Sequence, residues 1–506
     1  MIIGKIRMNE CNPAWGSHFS SEEIEQSRRS GRILTMELEL SRACNLRCIY
    51  CYAESGTALE NELDLQEIQD TVDQALELGA RRIIVLGGGE PLAHPQIMPI
   101  LRYISQKGAA IDLFTNATLI TPDLARELIS LKVSPVIKMN SMRRDVQDFL
   151  AGKPGTFDRI RHGLNCLVKA GYPAQDLDLG VQTVICSQNL EELPSMWTWI
   201  RKQGMIPYFE TITLQGRARN YPDILVSPEA VHDLFHKLAA LDRNHFGIEW
   251  EPHPPVAGLT CNRHLYTCTV TVKGDVYPCP GVDIAVGNIR NSRLGDILNQ
   301  SKVIRDLRGI RENIKGACRN CESVSYCYGC RGMAYQFTGD YLAADPLCWK
   351  NPEQIDFKAP RPVCAKGLMP HKRPMRMVDR VLSAEEDASG KVEAIIRGDC
   401  LYVDQQGFFA PEAMVELMAQ AFAAVSGKLS SESGGQQGTG YLTGVKQARI
   451  YAKARSEDLL TIEVKPIAEF AGFVIVESRI NREDELLAQG ELKIWQTSPA
   501  EQENKS

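Results

Sequence analysis

Cysteine placement constrains this chain more than any other feature. Of 16 cysteines in 506 residues, three fall within Cys44–Cys51 and eight within Cys261–Cys348, whereas residues 367–506 hold only Cys400. C-x-x-C pairs with further cysteines nearby suit metal ligation better than disulfides, and no basic-then-apolar leader directs the chain to an oxidising compartment. No apolar run reaches 18 residues, so a cytoplasmic protein without a membrane segment is expected. A net charge of -6 argues against general nucleic-acid binding, which rests on neutralising phosphates. The length predicts two or three domains.

Between the two cysteine groups, strands and helices alternate. ILTMELEL at 33–40 reads as a strand leading into the first cysteines. A helix over 64–78 follows from Leu65, Ile68, Val72, Ala75 and Leu76 at helical spacing, with Gly79 as its stop. Strands near 82–86, 110–115, 133–139, 178–186 and 206–214 alternate with helices near 95–107, 121–130, 156–170 and 190–203. Repeated βα units imply a parallel sheet whose site lies at the strands' carboxyl ends. The glycines Gly87–Gly89 do not make a G-x-G-x-x-G fingerprint, so a partial βα barrel fits better than a dinucleotide fold.

The loop Cys44-Asn-Leu-Arg-Cys48-Ile-Tyr-Cys51 can hold three irons of a [4Fe–4S] cube, leaving the fourth open to an exogenous ligand. A structural zinc site would want a fourth protein ligand, and none stands nearby in sequence. Cys-x-x-x-Cys-x-x-Cys after a first strand resembles the radical S-adenosylmethionine (SAM) superfamily. The resemblance implies that the open iron binds the methionyl amine and carboxylate. It also implies that an electron from the cluster cleaves the sulfonium and that the 5′-deoxyadenosyl radical abstracts a substrate hydrogen. Gly88, Gly89, Glu90 and Pro91 resemble the element that meets the amine. Asn140, Ser141, Asn189 and Arg217 occupy loops where the family places ribose contacts, and Tyr50 is a candidate for packing on the adenine. A flavodoxin- or ferredoxin-like electron donor is implied as a partner.

The later eight cysteines are the complement for two four-cysteine cubes or two zinc sites. Their pattern, Cys261-x12-Gly274-x4-Cys279, then Cys318, Cys321, Cys327, Cys330 and Cys348, resembles the accessory module called SPASM. Two residues separate Cys327 from Cys330 where the module usually has three. The resemblance assigns Cys261, Cys268, Cys279 and Cys330 to one auxiliary cluster and Cys318, Cys321, Cys327 and Cys348 to the other, both closed to substrate. Cys11, Cys166, Cys186, Cys364 and Cys400 are read as ordinary thiols.

Past a boundary near 350–367 the pattern changes to antiparallel strands and one apolar helix over 411–429, carrying Met414, Leu417, Met418, Ala421 and Phe422. Pro370-His371, Pro374-Met375, Val378-Asp379-Arg380-Val381, Glu416 to Gln420, and Tyr441 to Arg449 resemble the hotdog fold of hydroxyacyl-carrier-protein dehydratases. Those enzymes pair a loop His with a helical Glu. Glu416 matches the Glu, but 399–411 has no histidine, and His371 belongs to a separate motif. Tyr402 and Asp404 are the candidate substitutes in a changed acid–base pair. The expectation is a domain that binds an acyl or pantetheine-linked partner, or dimerises, without dehydration.

The expected architecture is therefore an amino-terminal extension (1–30), a radical SAM α/β partial barrel (31–245), a SPASM-like cluster domain (246–355), a linker (356–366) and an α+β hotdog domain (367–506). The expected cofactors are SAM with one SAM-binding and two auxiliary [4Fe–4S] clusters. The expected function is hydrogen abstraction from a small or acyl-carrier-linked substrate. Modification of a precursor peptide is the alternative, and a non-catalytic iron–sulfur carrier or scaffold is the third reading. A homodimer through the hotdog domain is the expected assembly.

Overall fold

Strand β1 (Thr35–Leu38) is buried along its whole length and lies in the middle of a nine-stranded sheet. The protein is described by a computed structural model covering residues 14–16, 18–351, 363–365, 367–371, 374–398, 400–432 and 440–496. Cys11 and most of the expected linker fall outside these residues. Strands β2 (Arg82–Val85), β3 (Ala110–Thr115), β4 (Val133–Lys138), β5 (Gly180–Ile185) and β6 (Ile206–Thr211) follow β1 in parallel succession. On its other side β1 pairs in parallel with β7 (Thr267–Val270), which continues antiparallel into β8 (Asp275–Tyr277) and β9 (Gly287–Asn288).

The helices sit where the periodicity places them. In α1 (Leu65–Glu77), Asp64 and Glu67 form a reciprocal capping box, and Ile68, Val72 and Ala75 are buried. Helix α2 spans Ile97–Gln106. Helix α3 (Pro122–Ser130) starts on the Thr121 side chain, with proline in its first turn. Helices α4 (Thr156–Ala170) and α5 (Leu193–Lys202) complete the covering layer, and α6 (Lys302–Arg308) follows in the cysteine-rich segment. Together these elements form a partial βα barrel.

The described residues divide into two compact units, one running to residue 336 with 340–355, the other comprising 337–339 and the residues after 355. The cysteine-rich segment is thus continuous with the barrel through the β1–β7 pairing. In the second unit, seven antiparallel strands run in the order β10-β11-β12-β14-β15-β16-β13. They are β10 (Val363–Cys364), β11 (Arg380–Ala384), β12 (Gly390–Ile395), β13 (Gly440–Ile450), β14 (Leu459–Phe470), β15 (Phe473–Arg482) and β16 (Glu485–Gln496). Helix α7 (Ala413–Glu432) packs against them, with Met414, Leu417, Met418, Ala421 and Phe422 at most 3% exposed. One long helix wrapped by an antiparallel sheet is the hotdog arrangement.

Candidate active site at the barrel mouth

The carboxyl ends of β1–β6 and the cysteine-rich segment enclose a cavity of about 310 Å³, at the lower end of the usual small-ligand range. Cys44, Cys48 and Cys51 all line it, as do Gly88, Gly89 and Glu90. The cluster loop is held against the glycines by backbone: Glu90 N–H donates to the Ala43 carbonyl at 2.9 Å. A Cβ on Gly89 would sit 2.1 Å from that carbonyl oxygen, so only glycine fits. Burial raises the Cys48 thiol to about 12 and lifts Cys44 as well. Free thiols raised in this way stay protonated at Cys44 and Cys48, and a Lewis-acidic cluster would displace those protons. Among the described residues no three His, Cys, Asp or Glu side chains converge as they would on a single metal ion. A four-iron cube instead holds its thiolates apart at its corners. The cysteines whose side chains are described, Cys364 not among them, are free. The donor set fits a three-thiolate cube.

The Glu90 carboxylate is committed to several partners. It accepts from Thr115 Oγ1 at 2.6 Å, Asn116 N at 2.7 Å and Leu92 N at 3.1 Å. Burial raises it to about 7 despite these donors. Glu90 lines the cavity, and a carboxylate with three donors keeps acceptor capacity for an ammonium. Pro91 starts a single 3-10 turn behind it and is not on the cavity wall.

Four expected SAM contacts lie behind the wall, held by protein partners, with Arg217 Nη2 left as a buried donor without one. Asn140 donates to Tyr50 OH at 2.6 Å and accepts from Val184 N. Asn189 ties Asn140 O, Val184 O and Cys186 N together. Ser141 donates to Glu192 at 2.5 Å. Arg217 donates to Cys48 O and Ser55 O, both at 2.9 Å, and its backbone N–H donates to Cys51 O. These side chains brace the strand ends and the cluster loop, and none of them lines the cavity. The reason is burial: a polar side chain enclosed by protein takes partners from the protein around it, backbone or side chain.

The wall itself carries residues that sequence reading passed over. Lys138, Gln182 and Glu210 end or flank the inward faces of β4, β5 and β6. The Gln182 amide donates to Glu210 at 2.5 Å, and Lys138 Nζ lies 5.2 Å from the Tyr50 ring centroid. Burial lowers the Lys138 pKa, countered in part by Glu210. Arg263 spans Glu37 at 3.1 Å and Tyr208 OH at 2.6 Å. The available signal was a polar residue at an alternate position in an otherwise apolar strand.

In the cysteine-rich segment, Gly274 (φ +84°) makes the expected turn between β7 and β8. Burial raises the thiols of Cys318, Cys327 and Cys348, and each also feels the charge of other cysteines in this group. Cys261, Cys279 and Cys330 line the cavity. Cys268 does not join them: it is fully buried in the apolar core on β7. Asp345 links the two groups, accepting from Cys330 N at 2.7 Å while its own N–H approaches Cys318 Sγ at 3.4 Å.

In the second unit, Glu416 accepts from Gln420 at 2.9 Å, and His371 Nε2 stands 3.9 Å from the same Glu416 oxygen. The structure therefore brings to Glu416 the histidine that the motif reading set apart. Asp404 instead caps its own loop through Gln406 N and Phe408 N, and Tyr402 packs edge-on against Phe409.

Fold and site together define a radical SAM enzyme with a cysteine-rich extension. Residues 38–196 match the family model of the Radical SAM superfamily, residues 261–322 that of the SPASM iron-sulfur cluster-binding domain, and residues 363–505 that of the ApeP dehydratase. The chain thus joins a radical SAM domain and a SPASM domain to an ApeP-like hotdog domain, and its cofactors are SAM and iron–sulfur clusters. It is 29% identical to an AdoMet-dependent heme synthase of Methanosarcina barkeri over 62% of this chain and 95% of that one. It is 28% identical to the mycofactocin maturase MftC of Mycolicibacterium smegmatis, over 65% of this chain and 85% of that one. Streptococcus suis SuiB bound to S-adenosylmethionine shares the fold over 63% of this chain and 78% of that one, with TM-score 0.50 and 16% identity. No described helix is long and apolar enough to cross a membrane.

Proposed function

We propose that this protein is a peptide-modifying radical SAM/SPASM enzyme. Cys44, Cys48 and Cys51 hold the SAM-binding cluster, and Gly88, Gly89 and Glu90 hold the methionyl end of SAM. With the cluster and SAM bound, one electron from a flavodoxin- or ferredoxin-like donor would allow reductive cleavage of SAM to methionine and a radical able to remove a substrate hydrogen atom. The chain's own residues orient the reactants: Arg217 fixes the loop, Tyr50 is held by Asn140, and Lys138, Gln182 and Glu210 face the substrate. The observation that carries the peptide reading is the match to a mycofactocin maturase over 65% of this chain and 85% of that one.

A second reading, a small or carrier-linked substrate, is favoured by the ApeP-like domain over 363–505 and by the relatives named heme synthases. Mass spectrometry of molecules retained by anaerobically purified protein separates the two. A co-purified peptide bearing a mass change after turnover supports the first. A phosphopantetheine-linked acyl group, or a small molecule consumed without any peptide, overturns it.

A further inference from the structure

The auxiliary donor set next to the cavity does not match the four-cysteine complement. Strands alternate their side chains between faces, and neighbouring residues in register share a face. Cys268 is in register with Met36, and both are fully buried in the apolar core. The neighbouring pair, Thr269 and Glu37, faces the other way: Thr269 Oγ1 donates to Glu37 at 2.7 Å, and Glu37 holds Arg263 on the cavity wall. Turning Cys268 toward the cavity requires a one-residue slip of β7, which would send Thr269 into the apolar core. The charge that acts most on Cys268 is Arg308, the last residue of α6.

Cys279 and Cys330, by contrast, are brought together by backbone. A Cβ on Gly281 would meet Gly332 Cα at 2.9 Å, so the two cysteine-bearing segments touch just beyond their cysteines. Cys261 faces the same cavity. Beside Cys330, the buried Arg331 directs one nitrogen to Tyr341 O and Ala343 O, while its Nε and Nη2 have no hydrogen-bond partner although the residue lines the cavity. A buried guanidinium with free donors favours an anion.

We propose that Cys261, Cys279 and Cys330 alone hold the cavity-side auxiliary cluster, and that its remaining iron is an open site for an anionic donor of the substrate, a carboxylate being the group that Arg331 matches. Substrate would then be anchored at one cluster while hydrogen is removed beside another. The proposal rests on the reading that these cysteines hold clusters.

The test uses the full chain with Cys44, Cys48 and Cys51 replaced by Ala, which removes the other open iron. Adding Cys268→Ala should leave iron content and both reduced-cluster EPR signals unchanged, whereas Cys330→Ala should remove one of them. With Cys268 intact, ¹³C-cyanide added to the reduced protein should give a ¹³C hyperfine coupling on one auxiliary cluster, and that coupling should vanish in Cys330→Ala. Loss of a cluster from a soluble Cys268→Ala protein overturns the proposal. So does the absence of ¹³C coupling, because a protein side chain on the cavity wall, such as His264 with its unpartnered Nε2, then closes the site. A Cys268→Ala protein that fails to fold leaves the cyanide measurement to decide. Protein without any iron after reconstitution would instead refute the underlying cluster reading.

Discussion

Replacing Arg217 with Met tests whether this side chain braces the cluster loop or touches SAM. Its guanidinium donates to Cys48 O and Ser55 O, each at 2.9 Å, so the variant loses two hydrogen bonds from a charged donor and strands two carbonyls. Bonds of that kind contribute about 1.5–3 kcal/mol each, so the closed loop should lose roughly 3–6 kcal/mol relative to its open form. At about 1.4 kcal/mol per factor of ten, loop opening rises by about two to four orders of magnitude. The assay is iron loss from the reconstituted enzyme under a chelator, with EPR separating the SAM-binding cluster from the others. Arg217→Met should shed that cluster far faster than the parent and keep the auxiliary signals. Arg217→Lys, which keeps the charge without the fork, should fall between the two. Parental cluster retention combined with weakened SAM binding would refute the bracing role and restore the direct contact.

Further outcomes follow from the same geometry. Cys48→Ala should abolish reductive cleavage of SAM, read as 5′-deoxyadenosine by chromatography, while the auxiliary iron is retained; turnover by this variant would refute the assignment. Gly89→Ala places a Cβ 2.1 Å from the Ala43 carbonyl, so SAM affinity should fall by about 5- to 150-fold by calorimetry with the circular dichroism unchanged, since overpacking of this kind costs about 1–3 kcal/mol. His18 has a pKa lowered to about 3 by burial and by Arg82 and Arg263, even with Asp112 at 3.6 Å. The unfolded chain therefore takes up a proton below about pH 6.5 that the folded chain refuses, so this group's contribution is intact at neutral pH and is lost as pH falls. Moving to pH 5 should destabilise the parent by roughly 2 kcal/mol more than His18→Gln in denaturant titrations; equal losses would count against it. In the hotdog unit, edge strand β13 exposes Tyr441 (53%) and Val445 (44%), so Val445→Lys should convert the expected homodimer to monomer by light scattering. An unchanged mass would reject that surface.

Much of the fold is legible in residue order because its signals are local. The spacing of Leu65, Ile68, Val72 and Ala75 announces α1, with Gly79 as its stop, and the Cys44–Cys51 spacing requires no knowledge of the rest of the chain. The same holds for the apolar stripe of α7. Tertiary structure decided what each polar residue in the sheet region does. Asn140, Ser141, Asn189 and Arg217 stand in the expected loops, yet their side chains point to protein, while Lys138, Gln182 and Glu210 face the cavity. Cysteine spacing could not reveal that Cys268 looks into the core, because its direction depends on register with β1, a strand more than 200 residues away. Nor could motif order show His371 beside Glu416, since a helix and a loop far apart in sequence meet there. Spacing specifies which groups are available along one loop; facing and partnership arise from pairing between distant segments, where burial obliges each polar group to find a donor or acceptor.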